Sequence, residues 1–403
     1  MITNAPLSRS RWLNRTVLGI GLSSLFSDCS HEMATTVMPA FLATMGVAAF
    51  WVGLIEGVSD GLSSFAKMAS GYYTDKLRRR KPVAVAGYVI TAVGTASFGL
   101  ATAAWHVLLA RAFAWLGRGV RTPLRKAMLA GAVTKETYGR AFGFERMMDT
   151  FGAIVGPASA FFLLDAFHHN YPPLFAATLV PGLIASVLMA FVVVEKERKS
   201  VTHISFGDQL RTLPPSFRKF ILAVGLFGSG DFAHTLLILL ATQKLTPELG
   251  AAKAASIAVG LYVLHNVFYA GFAFIAGWLG DRFSKNRVLA AGYALAVVMA
   301  LAIIFLPLTV WTLAGIFLLG GVYVAIVETL EDSFCAELVP EKHHGIAFGT
   351  LATINGVGDF LSSTIVGALW TWRGTSAAFG YSAVLFTVGT LLILRLRLEL
   401  GSR

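Results

Sequence analysis

"GYYTDKLRRRK", residues 71–81, and "GWLGDRFSKNR", residues 277–287, decide how this chain reads. Each opens on a glycine, places an aspartate four residues later (Asp75, Asp281), follows it with lysine or arginine, and turns basic. The two stretches lie 206 residues apart. At the same offset "YGRAFG" (138–143) matches "HGIAFG" (344–349) at four of six positions. A chain of 403 residues that repeats at about half its length is built from two related halves. Gly71 and Gly277 permit close helix approach. The two aspartates, just past a helix end, can cap a neighbouring helix or pair with basic residues of the opposite half.

The surroundings of these stretches are apolar. The chain is 56% hydrophobic and 14% charged, against roughly 25% charged residues in soluble domains. Twelve apolar runs are long enough to cross a bilayer, at roughly 17–41, 50–73, 83–102, 106–129, 141–164, 173–194, 219–241, 255–279, 288–306, 309–335, 346–368 and 375–394. No sizeable soluble domain is left over. Basic residues fall on one side of this zigzag: Arg9, Arg11 and Arg15, then "DKLRRRK", "EKERK", Arg282, Lys285 and Arg287, and finally Arg395, Arg397 and Arg403. The opposite loops carry little beyond Lys244, Lys253 and Arg373. The net charge of +11 is therefore a topology signal and not a nucleic-acid surface. It places both termini in the cytoplasm, in a multi-pass protein of the inner (plasma) membrane. The basic N-terminus reads as an uncleaved anchor. Cys29 and Cys335 both sit in apolar segments, which argues against a disulfide framework.

The longest polar stretch divides the chain into an N-terminal six-helix bundle (1–194), a cytoplasmic linker (195–218) and a C-terminal six-helix bundle (219–403). Within the linker "ISFGDQLRTL" has the pattern of a short amphipathic helix lying on the membrane face. Parallel repeats of this kind pack face to face, with a substrate site near the midplane between them.

These features resemble the major facilitator superfamily. "GYYTDKLRRRK" is similar to its loop signature, with Arg78 where a glycine is usual. "GAIVGP", with Gly152, Gly156 and Pro157, resembles the fifth-helix motif of its exporter and antiporter branches. The resemblance covers the whole chain in helix count, repeat and loop positions. It implies an all-α membrane protein of twelve transmembrane helices in two pseudo-symmetric bundles, working as a monomer by alternating access. The fourth span departs from the family's usual Arg-x-x-x-Gly-x-Gly. Arg111 lies six residues before Gly117, so the proton-relay role given to that arginine does not carry over.

Charged groups at membrane depth are costly and usually functional. Asp28, His31 and Glu32 share one face of the first helix, and Glu56, Asp60 and Lys67 one face of the second. Glu145, Arg146 and Asp149 open the fifth, and Asp231 and His234 lie in the seventh. Asp28-x-x-His31 and Asp231-x-x-His234 occupy comparable positions in the two halves, so they are expected to face one another across a central cavity. The functional reading makes this set a proton and substrate site. The bland alternative is a set of structural ion pairs, with Lys67 and Asp60 foremost. Arg118, Arg121 and Arg125 in the fourth span are matched by Glu328, Glu331 and Asp332 in the tenth. At the repeat offset Arg125 falls on Glu331, which suggests a salt-bridge gate, with Asp75 and Asp281 as latches.

There is no phosphate-binding Gly-Lys-Ser/Thr loop, and "HEMAT" has Thr35 where a zinc-protease helix needs histidine. No nucleophile elbow and no Cys-x-x-Cys pair occurs. The reading is therefore a transporter and not an enzyme, without a cofactor, coupling protons to the export of a small organic molecule. The alternative is a divalent-metal or metalloid transporter that uses Asp28, His31, Asp231 and His234, with Cys29 as a further soft ligand. A transporter-like scaffold that moves nothing has no need of paired latches.

Overall fold

A computed structural model describes residues 12–46, 49–195 and 206–396. The sequence-stretch residues Arg9, Arg11, Arg397 and Arg403, the linker segment 196–205 and the Glu56 side chain lie outside the described residues. Among the described residues there is no β-strand.

Among the described residues, and besides the linker helix, twelve helical units follow one another: α1 (Arg15–Thr44), α2 (Ala49–Lys76), α3 (Lys81–Ala96), α4 (Ala104–Gly131), α5 (Tyr138–Ala166), α6 (Tyr171–Phe191), α7 (Pro215–Gly228 and His234–Leu249), α8 (Ala251–Arg282), α9 (Lys285–Phe305), α10 (Val310–Leu338), α11 (His344–Arg373) and α12 (Thr375–Arg395). The starts of α1 and α10 are fixed by side-chain caps. The Asn14 carboxamide oxygen accepts from the N–H groups of Thr16 and Val17, and Thr309 and Thr312 form a reciprocal capping box. The linker holds the helix Phe206–Thr212, inside the stretch whose pattern predicts it.

The seventh unit departs from the expected continuous span. It is helical over Pro215–Gly228 (α7a), leaves the helix over Ser229–Ala233, and resumes over His234–Leu249 (α7b). "GSGD" explains the break, because two glycines and a serine lower helix propensity where no turn of Ala or Leu compensates. The freed backbone is re-satisfied locally: Tyr381 Oη donates to the Ser229 carbonyl and Ser362 Oγ to the Asp231 carbonyl.

Packing follows the repeat. In the first half α1 lies against α5 and α6, α2 against α4, and α3 against α4 and α6. In the second half α7a lies against α11 and α12, α8 against α10, and α9 against α10 and α12. Between halves α2 meets α11 and α5 meets α8, and the pseudo-twofold exchanges one pair for the other. Trp105 and Trp311, again 206 residues apart, begin α4 and α10 and are 52% and 85% exposed, as suits rings anchored at a membrane–water boundary.

Among the described residues seven helices (α3, α5, α6, α8, α9, α10, α12) are apolar enough over 18 residues to cross a membrane on composition alone. The remaining units α1, α2, α4, α7 and α11 line the wider cavity between the halves, where polar side chains are tolerated at membrane depth.

Candidate functional site

At the end of the molecule that carries residues 71–81 and 277–287, here called the basic end, the halves are in direct contact. The Asp75 carboxylate accepts the N–H groups of Gly345 (2.8 Å) and Ile346 (2.9 Å) at the start of α11. Asp281 does the same for Gly139 (2.7 Å) and Arg140 (2.9 Å) at the start of α5. Each aspartate thus sits on the exposed donors and positive pole of a helix of the opposite half. Glycine makes the approach feasible. A Cβ on Gly71 would stand 2.6 Å from the Gly345 carbonyl oxygen, and Gly277 and Gly139 are pressed together in the same way.

Away from this closure the halves diverge around a cavity of about 940 Å³, lined by His31, Asp60, Lys67, Trp115, Arg118, Asp359 and Phe360 among others. Gly57 and Gly61 of α2 face it with nothing within 4 Å of where a Cβ would stand. The Asp60 carboxylate accepts Trp115 Nε1–H at 2.8 Å. Asp359 is exposed within the cavity. Towards the basic end the cavity leads into a charged chamber of about 230 Å³, and Lys67, Arg118, Gly356 and Asp359 line both.

The chamber wall from the first half is a network of arginines and acids. Arg118 pairs with Asp28 at 2.9 Å. Arg125 pairs with Glu145 at 2.8 Å and donates to Ser24 Oγ at 2.6 Å, while Ser24 Oγ donates to Glu145 at 2.9 Å. Asp149 receives Arg125 at 3.6 Å and Arg146 at 3.3 Å. This network depends on the close seating of α1 on α5: a Cβ on Gly152 would stand 3.0 Å from Asp28 Cβ, and one on Gly156 would stand 2.8 Å from Glu32 Cβ. The "GAIVGP" glycines therefore admit the acidic face of α1.

At the chamber, two basic residues cross to the other half. Lys126 pairs with Asp332 at 2.6 Å, and Arg146 reaches Glu328 at 2.7 Å and Asp332 at 3.7 Å. The second half answers with tyrosines: Tyr269 Oη donates to Glu328, Tyr293 Oη to Glu331 and Tyr323 Oη to Asp231, at 2.8, 2.7 and 2.8 Å. Asn355 Nδ2 also donates to Glu331, at 2.9 Å.

Several expectations need correction. Arg125 and Glu331 form no ion pair with each other among the described residues; each is held inside its own half. Lys67 and Asp60 do not pair either, since Asp60 is taken by Trp115 and Lys67 has no ion pair among the described residues. Asp28, His31, Asp231 and His234 do not converge. Asp28 is bound to Arg118, His31 lies edge-on to Trp115 with ring centroids 4.4 Å apart, Asp231 is bound to Tyr323, and His234 lies 4.5 Å from the His265 ring. The break in α7 is the reason, because i, i+3 spacing fixes a shared face only along a continuous helix. Among the described residues no group of three or more His, Cys, Asp or Glu side chains is arranged to hold a metal ion. Glu32 stays near His31, at 3.6 Å.

Sequence reasoning passed over Trp115, Lys126, Asp359, Asn355 and the three tyrosines. The tyrosines read as ordinary core aromatics. The available signal was that a buried tyrosine hydroxyl needs a partner.

An all-helical, two-fold repeated bundle with a polar cavity between its halves defines a membrane transporter. The sequence profile of the Major Facilitator Superfamily matches residues 20–245 and 220–402, and the chain belongs to that family. It is similar to an uncharacterized MFS-type transporter, MJ1317, of Methanocaldococcus jannaschii, with 28% identity over 95% of each chain. It is also similar to multidrug resistance protein MdtG of Salmonella typhi, with 25% identity over 97% of this chain and 95% of that one. Among solved structures it resembles FucP in the outward conformation (TM-score 0.78, 17% identity, 96% and 99% of the two chains). The human organic anion transporter MFSD10 has a TM-score of 0.76 at 16% identity over 94% and 99%. The last two likenesses concern the fold.

Proposed function

We propose that this transporter exports a small organic molecule, drug-like or metabolite, in exchange for protons, by rocking its two halves about the central cavity. The observation that carries the reading is the pairing of a wide cavity with a basic end sealed by charge. Asp75 and Asp281 bind helix starts of the opposite half, while Lys126 and Arg146 reach Asp332 and Glu328. Interactions of this kind are strong when made and separable as units, so the seal has two discrete arrangements available. The cavity suits an organic ligand. Phe360 offers an exposed ring, and Asp60, Asp359 and Lys67 offer charges of both signs.

The basic end is assigned to the cytoplasm by the distribution of lysine and arginine, in an inner (plasma) membrane protein that works as a monomer. The bundle boundaries remain those expected: 1–194 and 219–403 around a linker at 195–218. The MdtG likeness supports the export direction, as does the glycine pair Gly152 and Gly156 beneath the acidic face of α1. Asp28, Glu32, Asp149, Asp231, His31 and His234 remain proposed proton or substrate contacts, with Asp60 and Glu56. The metal alternative lacks a converging ligand set among the described residues.

The test is reconstitution into liposomes with a panel of fluorescent organic dyes, each followed with and without an imposed pH gradient. The reading expects at least one dye to accumulate only when the gradient is present. Accumulation that is equal in both conditions would reject proton coupling.

A further inference from the structure

The two halves neutralise their buried acids by different chemistry. In the first half Asp28, Glu145 and Asp149 each have an arginine within 2.8–3.6 Å. In the second half Glu328 and Asp332 borrow cations from the first half. Asp231, Glu331 and Asp359 make no ion pair among the described residues. These three differ in surroundings. Asp359 is exposed in the cavity and has the Lys67 ammonium acting on it. Asp231 lines neither the cavity nor the chamber. Glu331 alone combines burial (3% exposed) with a place on the chamber wall.

We propose that Glu331 binds and releases the coupled proton, an assignment that rests on the proton-coupled reading above. Its two recorded partners are both neutral, Tyr293 from α9 and Asn355 from α11. An ionised carboxylate in that setting is a buried charge without a counter-charge, and taking up a proton removes it. The groups facing it from the other elements do not supply the missing charge. Arg125 and Lys126 on α4 are engaged by Glu145 and Asp332, and Arg146 on α5 by Glu328 and Asp149. On its own helix and on α8, Glu328, Asp332 and Tyr269 bring acids and a phenol. Lys67 on α2 lines the same chamber without an ion pair among the described residues, and its charge acts on Asp359 and Asp60.

The partners also fit both protonation states. With Glu331 ionised, the Tyr293 hydroxyl and the Asn355 amide nitrogen both donate to it. When a chamber water delivers a proton to Oε2, that oxygen becomes a donor. Asn355 satisfies it by turning its amide so that Oδ1 accepts, while Tyr293 still donates to Oε1. An arginine partner has no acceptor and could not do this. The Tyr293 ring is itself clamped, stacked on Phe227 with centroids 3.7 Å apart, so the switch is confined to the amide.

The experiment is infrared difference spectroscopy of the purified protein between acid and alkaline pH, without any transport ligand. A neutral carboxylic acid has a carbonyl stretch that a carboxylate lacks. Wild-type protein is expected to gain such a band on acidification, and Glu331→Gln, nearly isosteric, to lose one carboxyl's share of it. Asp28→Asn, whose wild-type acid is ion-paired, is expected to retain the band. Asn355→Leu keeps Glu331 but removes its ambivalent partner, and is expected to move the pH midpoint of the band, which secures the test should Glu331→Gln fold poorly. An unchanged band in Glu331→Gln, or an unmoved midpoint in Asn355→Leu, would overturn the assignment. Gradient-independent dye accumulation by wild-type protein would instead reject proton coupling and leave the infrared result standing.

Discussion

Lys126 and Asp332 touch at 2.6 Å, and they are 206 residues apart, the offset of the internal repeat. A residue that contacts its own counterpart in the other half lies on or beside the pseudo-twofold axis. The contact therefore sits at the centre of the seal, where two related helices, α4 and α10, cross between the halves. Both residues are buried (9% and 3% exposed). Removing one partner of such a pair leaves an uncompensated charge and costs about 3–5 kcal/mol.

That cost falls on the sealed state and not on the state in which the halves part. Lys126→Ala is expected to shift the balance towards a form open at the basic end, seen as faster labelling of cysteines placed there. Lys126→Asp with Asp332→Lys is expected to recover most of the wild-type behaviour, because the positions are mates across the axis. A double variant whose defect is the sum of the two single defects would remove the pair from the seal.

Arg125 occupies the preceding position in the chain and has a different task. It joins α4 to α1 and α5 through Ser24, Glu145 and Asp149. Arg125→Ala should cost about 3–5 kcal/mol within the first half, read as a lower melting temperature in detergent. Arg125→Glu combined with Glu331→Arg should show no rescue. Recovery of transport in that double variant would show that the two side chains meet.

The glycine contacts set how closely the helices can approach. Gly71→Val would place a side chain 2.6 Å from the Gly345 carbonyl oxygen and force α2 from α11. Transport should fall at least tenfold, with basic-end cysteines more accessible and folded yield little changed. Gly61→Val, at a glycine with nothing within 4 Å, should leave that accessibility as it is. Equal effects at both positions would mean that the Gly71 contact does not hold the seal.

The repeat, the twelve spans and the capping positions of Asp75 and Asp281 were legible because they rest on composition, spacing and helix ends. The pairing of charges was not. Offset arithmetic puts Arg125 opposite Glu331 and Lys126 opposite Asp332 equally well. Successive helical residues point about 100° apart, so only one of these positions can face the axis, and helix rotation is invisible in a single sequence. The break in α7 hid the separation of Asp231 and His234 from the first-helix cluster. The tyrosine partners of Glu328, Glu331 and Asp231 come from α8, α9 and α10, helices whose sequences read simply as apolar.

Paired distance measurements decide whether the halves rock so that one end opens as the other closes. Spin labels at Glu136 and Lys342, exposed and themselves 206 residues apart, span the basic end. A second pair at Thr102 and Leu306, both exposed, spans the opposite end. Cys29 and Cys335 are buried and would be replaced. Recorded by pulsed electron paramagnetic resonance across a range of pH, the account expects the two distance distributions to move in opposite directions, one lengthening as the other shortens. Distances that move together, or a single unchanging distribution at both ends under every condition, would contradict it.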